Sequence, residues 1–151
     1  MDCRYCHTSV ERQTHSPVPP TETCIGCHNK IYPESEKLAP VRESWEKDTP
    51  VEWVRIHDLP DYAYFNHSAH VLSGVGCESC HGRVDLMEVV YQKETLSMGW
   101  CLNCHRNPEP HLRPLDKITQ MDWKQESPEQ GAELRAKYNV NPNDNCATCH
   151  R

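Results

Sequence analysis

Apolar side chains are scarce in this 151-residue chain: hydrophobic residues make up 36% of it and phenylalanine appears once. Mean hydropathy is −0.82. A chain so composed cannot build a conventional protein core and, on hydropathy alone, sits close to the disordered class. No run approaches the roughly twenty apolar residues of a membrane-spanning helix. Positive charge is in deficit as well. The formal net charge is −6, which disfavours nucleic acid as a partner and favours a basic or neutral docking face.

Cysteine outside one repeated pattern is also missing. All ten cysteines fall in five copies of C-x-x-C-H: Cys3/Cys6/His7, Cys24/Cys27/His28, Cys77/Cys80/His81, Cys101/Cys104/His105 and Cys146/Cys149/His150. That pattern reads as a c-type haem attachment site. Two thiols three positions apart share one side of a helical turn, where they can form thioethers to the two vinyl groups on one porphyrin edge. The histidine four positions after the first cysteine projects from nearly the same face and reaches the iron as proximal ligand. Structural zinc is the competing reading of paired cysteines. Five pairs, however, do not divide evenly into four-cysteine sites, and zinc gives no reason for a histidine after every pair. A disulfide scaffold ignores those histidines too.

Five covalent haems shared among 151 residues leave about thirty residues each. Small scaffolds need staples, and covalent haem supplies both the cross-link and an apolar surface. Ten propionates would make the surface more acidic still. The expected fold is mostly irregular and small α: a multihaem cytochrome c arrangement of short helices around five haems, with little or no sheet. Attachment of this kind takes place outside the cytoplasm, so the expected location is periplasmic.

The motifs begin at 3, 24, 77, 101 and 146, in steps of 21, 53, 24 and 45. Residues 3–11 (Cys-Arg-Tyr-Cys-His-Thr-Ser-Val-Glu) match residues 77–85 (Cys-Glu-Ser-Cys-His-Gly-Arg-Val-Asp) in spacing and in the Val-acid ending. The pattern implies a two-haem module at 1–48, incomplete at its N-terminus, a second at 49–112, and a single-haem segment at 113–151. The partly alternating run Thr49–His57 predicts a short strand or extended segment ending by Pro60. A helix is expected over 128–138: Ser127 and Gln130 have capping-box spacing, Pro128 takes the first position, and Leu134 and Tyr138 share a face. Asn143, Asp144 and Asn145 are candidate caps for the turn of the fifth motif.

Each iron of an electron carrier needs a second axial ligand. Five histidines lie outside the motifs: His15, His57, His67, His70 and His111. His67 and His70, at i,i+3 in Tyr-Phe-Asn-His-Ser-Ala-His, can point to two different irons, with Phe65 against a porphyrin face. His57 is an alternative ligand with Asp58 to orient it; His111 is either a ligand or a loop histidine, and His15 a solvated one. Methionine can replace histidine, which makes Met121 and Met98 candidates, each set against plain packing.

F-x-H-x-x-H ahead of C-x-x-C-H resembles the class III multihaem cytochromes. More closely, the chain resembles the pentahaem cytochrome subunit of alternative complex III, the bacterial quinol-oxidising complex. Residues 1–11, 19–24, 56–70, 96–109 and 146–151 carry this resemblance. It implies a periplasmic electron-transfer subunit rather than an enzyme in its own right. Electrons would come from quinol through iron–sulfur and membrane subunits and leave to a monohaem cytochrome c or a terminal oxidase. Two other functions compete: a multihaem reductase with one open-coordination haem, and a freestanding shuttle or filament. In the second module His67 and His70 precede Cys77 by ten and seven residues. The same offsets from Cys3 fall upstream of Met1, so a further histidine pair and a membrane anchor are expected N-terminal to it.

Overall fold

Each C-x-x-C-H run folds into a helical turn in the computed structural model, which describes residues 1–151. Cys3–Tyr5 is a 3-10 turn whose first amides are met by Asp2, its carboxylate accepting from the Arg4 amide at 2.9 Å. The second motif closes α1 (Thr21–His28), which packs on α2 (Ala39–Lys47). Next come α3 (His67–Leu72), capped by the Asn66 side chain, and α4 (Cys77–His81), ended by Gly82. The fourth motif lies in α5 (Met98–Arg106), where the Ser97 hydroxyl accepts from the Trp100 amide at 3.3 Å. After α6 (Pro128–Lys137), α7 (Cys146–Cys149) carries the fifth motif. Of the three residues expected to cap it, Asn145 does so, accepting from the Ala147 amide at 2.9 Å. All these helices are short, and no helix is long and apolar enough to cross a membrane.

There is no sheet. A single antiparallel bridge joins Val75 to Leu112. Of the strand or extended segment expected at Thr49–His57, no strand forms. No second strand lies beside it to satisfy its backbone groups, and its apolar residues face outward, Val54 being 81% exposed. The helix at α6 forms as expected, but its capping differs. The Ser127 hydroxyl makes no capping bond; the Gln130 carbonyl oxygen instead accepts from the Glu126 amide at 2.9 Å.

Only 14 of 151 residues are buried, so packing of protein on protein cannot be what organises this chain. The largest apolar cluster has three members, Leu112, Leu134 and Val140, with Val75 and Tyr138 against them. It fastens α6 to the 3-10 turn Glu109–His111. A Cβ at Gly131 would come within 2.6 Å of the Glu109 carbonyl oxygen, so this approach requires glycine. The Arg135–Glu109 pair at 2.6 Å closes the contact. The remaining organisation runs through histidines.

Candidate haem-binding sites

A carbonyl oxygen can only accept a hydrogen bond. An imidazole nitrogen bonded to one must therefore carry the proton, which leaves the other nitrogen with its lone pair. Four of the five proximal histidines are set in this way. His7 Nδ1 donates to the Pro17 carbonyl at 2.8 Å, His28 Nδ1 to Ile31 at 3.0 Å, His105 Nδ1 to Asn143 at 2.8 Å and His150 Nδ1 to Tyr62 at 3.0 Å. The same device fixes two histidines outside the motifs. His67 Nδ1 donates to the Thr14 carbonyl at 2.9 Å, and His70 Nδ1 to Asn66 at 2.7 Å. Six imidazoles thus hold Nε2 free for a metal, each steered by a backbone partner.

Asn66 does double duty. Its side chain caps α3 by accepting from the Ala69 amide at 3.3 Å, while its carbonyl orients His70. The start of α3 is further pinned by the His67 and Ser68 amides, which donate to the carbonyls of Thr14 and Gln13. The interval between the first two motifs therefore positions a histidine of the second pair.

Two rings held on opposite sides of one iron, each with Nε2 about 2 Å from the metal, have centroids about 6 Å apart. His67 faces His81 with centroids 6.5 Å apart and planes within 7°. His70 faces His105 at 6.1 Å, with planes 43° apart. The i,i+3 spacing on α3 thus delivers one histidine to the third motif and one to the fourth. Phe65 stacks on His70 at 4.5 Å and meets His67 edge-on at 4.8 Å, bracing both imidazoles.

The other residues singled out in the sequence are placed differently. His57 lies edge-on to His81, centroids 4.4 Å apart, which is too close to share an iron from the opposite side. Its Nε2 is buried without a hydrogen-bond partner. Asp58 pairs with Arg55 at 3.1 Å rather than orienting the His57 ring. His111 is half-buried at the end of its 3-10 turn, with no facing imidazole. Met121 is buried at 9% exposure, whereas Met98 is 66% exposed at the head of α5. His15 lies beside His67.

No disulfide joins any of the ten cysteines. The backbone holds each motif's thiols by local bonds. Cys6 does not fall inside the first turn but closes it: it is the residue after Cys3–Tyr5, and its amide donates to the Cys3 carbonyl at 3.2 Å. Cys27 lies one turn after Cys24 in α1, and its carbonyl accepts from the Lys30 and Ile31 amides at 3.1 and 3.0 Å. Both side chains are half-buried. Cys6 also lies near enough to Cys24 to raise its pKa, so the first two sites are neighbours. In the fifth motif Cys146 is exposed, and the Cys149 carbonyl accepts from the Tyr64 amide at 2.7 Å.

Several thiols suit thioethers better than thiolates. Burial pushes Cys80 up to about 12 and raises Cys24, Cys101 and Cys104. Zinc binds the thiolate, which such burial disfavours, while an uncharged thioether loses nothing there. For Cys6, Cys27, Cys146 and Cys149 the thioether role rests on motif spacing alone. Nor do any three His, Cys, Asp or Glu side chains converge as a bare metal ion requires. The Cys3 and Cys77 thiols lie close enough for their mutual interaction to push the Cys77 pKa up, so the first and third sites abut. Beside His28, an open groove of about 400 Å³ is lined by Ile25, Arg42 and Trp45.

Burial lowers the pKa of His67, His70, His57 and His111, and takes His81 from 6.5 down to about 4. The unfolded chain then takes up more protons between those values than the folded one does. Stability is full above about 6.5 and falls as the pH drops through that window toward about 4. Protonation also removes the lone pair an iron would use, so both effects have one sign. The thermal midpoint of the haem-loaded protein is expected to fall steadily from pH 7 to pH 4; a flat or rising midpoint would count against these buried neutral imidazoles.

Sequence reasoning missed the carbonyl partners of the histidines, since long-range backbone contacts leave no local signature. It also missed Arg113, 4% exposed behind α4.

No curated protein matches the chain. A family model does: cytochrome c7 and related cytochrome c matches residues 63–151, a span holding α3 and the third, fourth and fifth motifs. With 89 of 151 residues inside that match (151 − 62), the chain belongs to the family of cytochrome c7 and related cytochromes c, multihaem electron-transfer proteins with covalently bound haem c.

Proposed function

We propose that this chain carries electrons through five covalent haems c on the periplasmic face of the bacterial inner membrane, as a subunit of a quinol-oxidising complex like alternative complex III. The observation that carries the reading is the pair of opposed imidazoles, His67 with His81 and His70 with His105, at 6.5 and 6.1 Å. A haem iron held between two such imidazoles would have no open face for a substrate, which suits electron transfer at these two sites rather than reduction of a bound molecule. Haem supplies a one-electron couple at each site; this chain's residues hold and orient it. The cysteine pairs would attach the haems, His7, His28, His81, His105 and His150 would bind their irons, and for four of these histidines, His81 excepted, a backbone carbonyl fixes the tautomer that leaves Nε2 to the metal.

Membership in the complex rests on the resemblance and on charge. The acidic surface suits transfer to a basic acceptor such as a monohaem cytochrome c, or to a terminal oxidase. The expected donor is the iron–sulfur subunit, which membrane subunits supply. The haems of the third and fourth motifs should be low-spin by electron paramagnetic resonance, and the isolated chain should not oxidise quinol without those partners. A high-spin haem that binds nitrite or hydroxylamine would favour the reductase instead. Rapid quinol oxidation by the chain alone would contradict the subunit role.

A further inference from the structure

A buried guanidinium lies directly behind the helix of the third motif. Arg113 is 4% exposed. Its Nη1 donates to the Gln120 carbonyl at 2.9 Å and its Nη2 to Glu78 Oε2 at 3.1 Å. Nε is buried with no partner, and the Trp123 ring covers the group at 5.4 Å. The backbone makes room for it: a Cβ on Gly76 would fall 2.0 Å from Nε, so this packing requires glycine one residue before Cys77. Cys77 in turn is tied to the same loop through its amide and the Ile118 carbonyl at 3.1 Å.

Burying a charge is costly unless it is fully paired. Arg113 meets one carboxylate, and that of Glu78 has 37% of its side chain exposed. Water therefore screens the anion more than the cation, and positive charge is left over inside. Structural needs alone do not account for it, because a neutral side chain could bond the Gln120 carbonyl without burying a charge. Glu78 belongs to the motif itself, in Cys77-Glu-Ser-Cys80-His81, so the cation is held against the very helix that attaches the porphyrin.

We propose that Arg113 raises the reduction potential of the haem attached at Cys77 and Cys80, with Glu78 moderating its effect. The inference rests on the haem assignment above. When ferric iron takes up one electron its site loses one positive charge, and a nearby fixed cation favours the reduced form. Arginine stays protonated in both states, so no proton moves at Arg113 with the electron.

The test is a potentiometric titration of the full haem-loaded chain, followed by electron paramagnetic resonance. The low-spin signal that His67→Ala abolishes identifies the haem in question. In Arg113→Gln that signal should titrate at a lower potential with the other four unmoved. Arg113→Lys, which keeps the charge, should restore most of the shift, and Glu78→Gln should move the same signal upward. Should Arg113→Gln fail to accumulate, Glu78→Gln decides alone. Equal shifts in the Gln and Lys variants, or a Glu78→Gln potential unchanged or lowered, would overturn the proposal. If His67→Ala abolishes no low-spin signal, the haem assignment itself falls, and the proposal with it.

Discussion

His67→Ala is expected to turn one low-spin haem high-spin and leave the other four as they were; His70→Ala should do the same to a different haem. The two variants should affect the haems of the third and fourth motifs respectively, because His67 faces His81 and His70 faces His105. The effect should be all-or-none at one site. Each imidazole is fixed by its own carbonyl, Thr14 for His67 and Asn66 for His70, and a methyl group cannot span a gap of that length to the iron. The double variant should show two high-spin haems, since the two histidines serve different metals. His57, lying against His81 with an Nε2 that has no partner, and His15, beside His67, are the side chains placed to interfere. Adding His57→Ala and His15→Ala to His67→Ala therefore shows whether either moves in as a substitute ligand. If that combination creates no high-spin haem, His67 does not ligate the third haem.

Replacing all ten cysteines by alanine is expected to leave a chain with no cooperative thermal transition and little helical circular dichroism. The reason lies in how little the protein packs on itself. With 14 residues buried and a largest cluster of three, apolar burial falls far short of the conformational entropy of ordering the chain. The short helices cannot stand alone either: α3, α4 and α7 span six, five and four residues, well under the length at which an isolated helix becomes marginal. Covalent haem must supply the surface they pack against. A cysteine-free chain that keeps its helices and melts cooperatively would show the fold to be independent of the cofactor.

Which parts of this were legible in the sequence follows from the range of each interaction. The motif turns were, because their caps and ligands lie within a few residues: Asn145 caps α7, and Pro128 opens α6. The i,i+3 spacing of His67 and His70 sends the two rings toward two different motif histidines, His81 and His105, again a local property. The partners that orient the imidazoles were not legible. The Thr14 carbonyl that holds His67 is 53 residues away, and the Tyr62 carbonyl that holds His150 is 88 away. Arg113 was invisible for the same reason, since its environment is assembled from Gly76, Glu78, Gln120 and Trp123. For Thr49–His57 the pattern left a strand and an unpaired extended segment open, because alternation reports only which side of a strand would be buried; pairing needs a neighbour that this fold does not provide. The contact of the Phe65 ring with both His67 and His70 was not legible either, since it depends on how the chain enters α3.

The central claim is that every cysteine pair carries one haem, from Cys3 and Cys6 through Cys24 and Cys27 to Cys146 and Cys149. Intact-mass spectrometry of the mature protein, followed by alkylation under denaturing conditions, tests it most directly. The expected result is a mass increased by five haems and no thiol available to the reagent, because all ten cysteines are consumed as thioethers. Fewer than five haems, reactive thiols, or zinc held on a cysteine pair would contradict it.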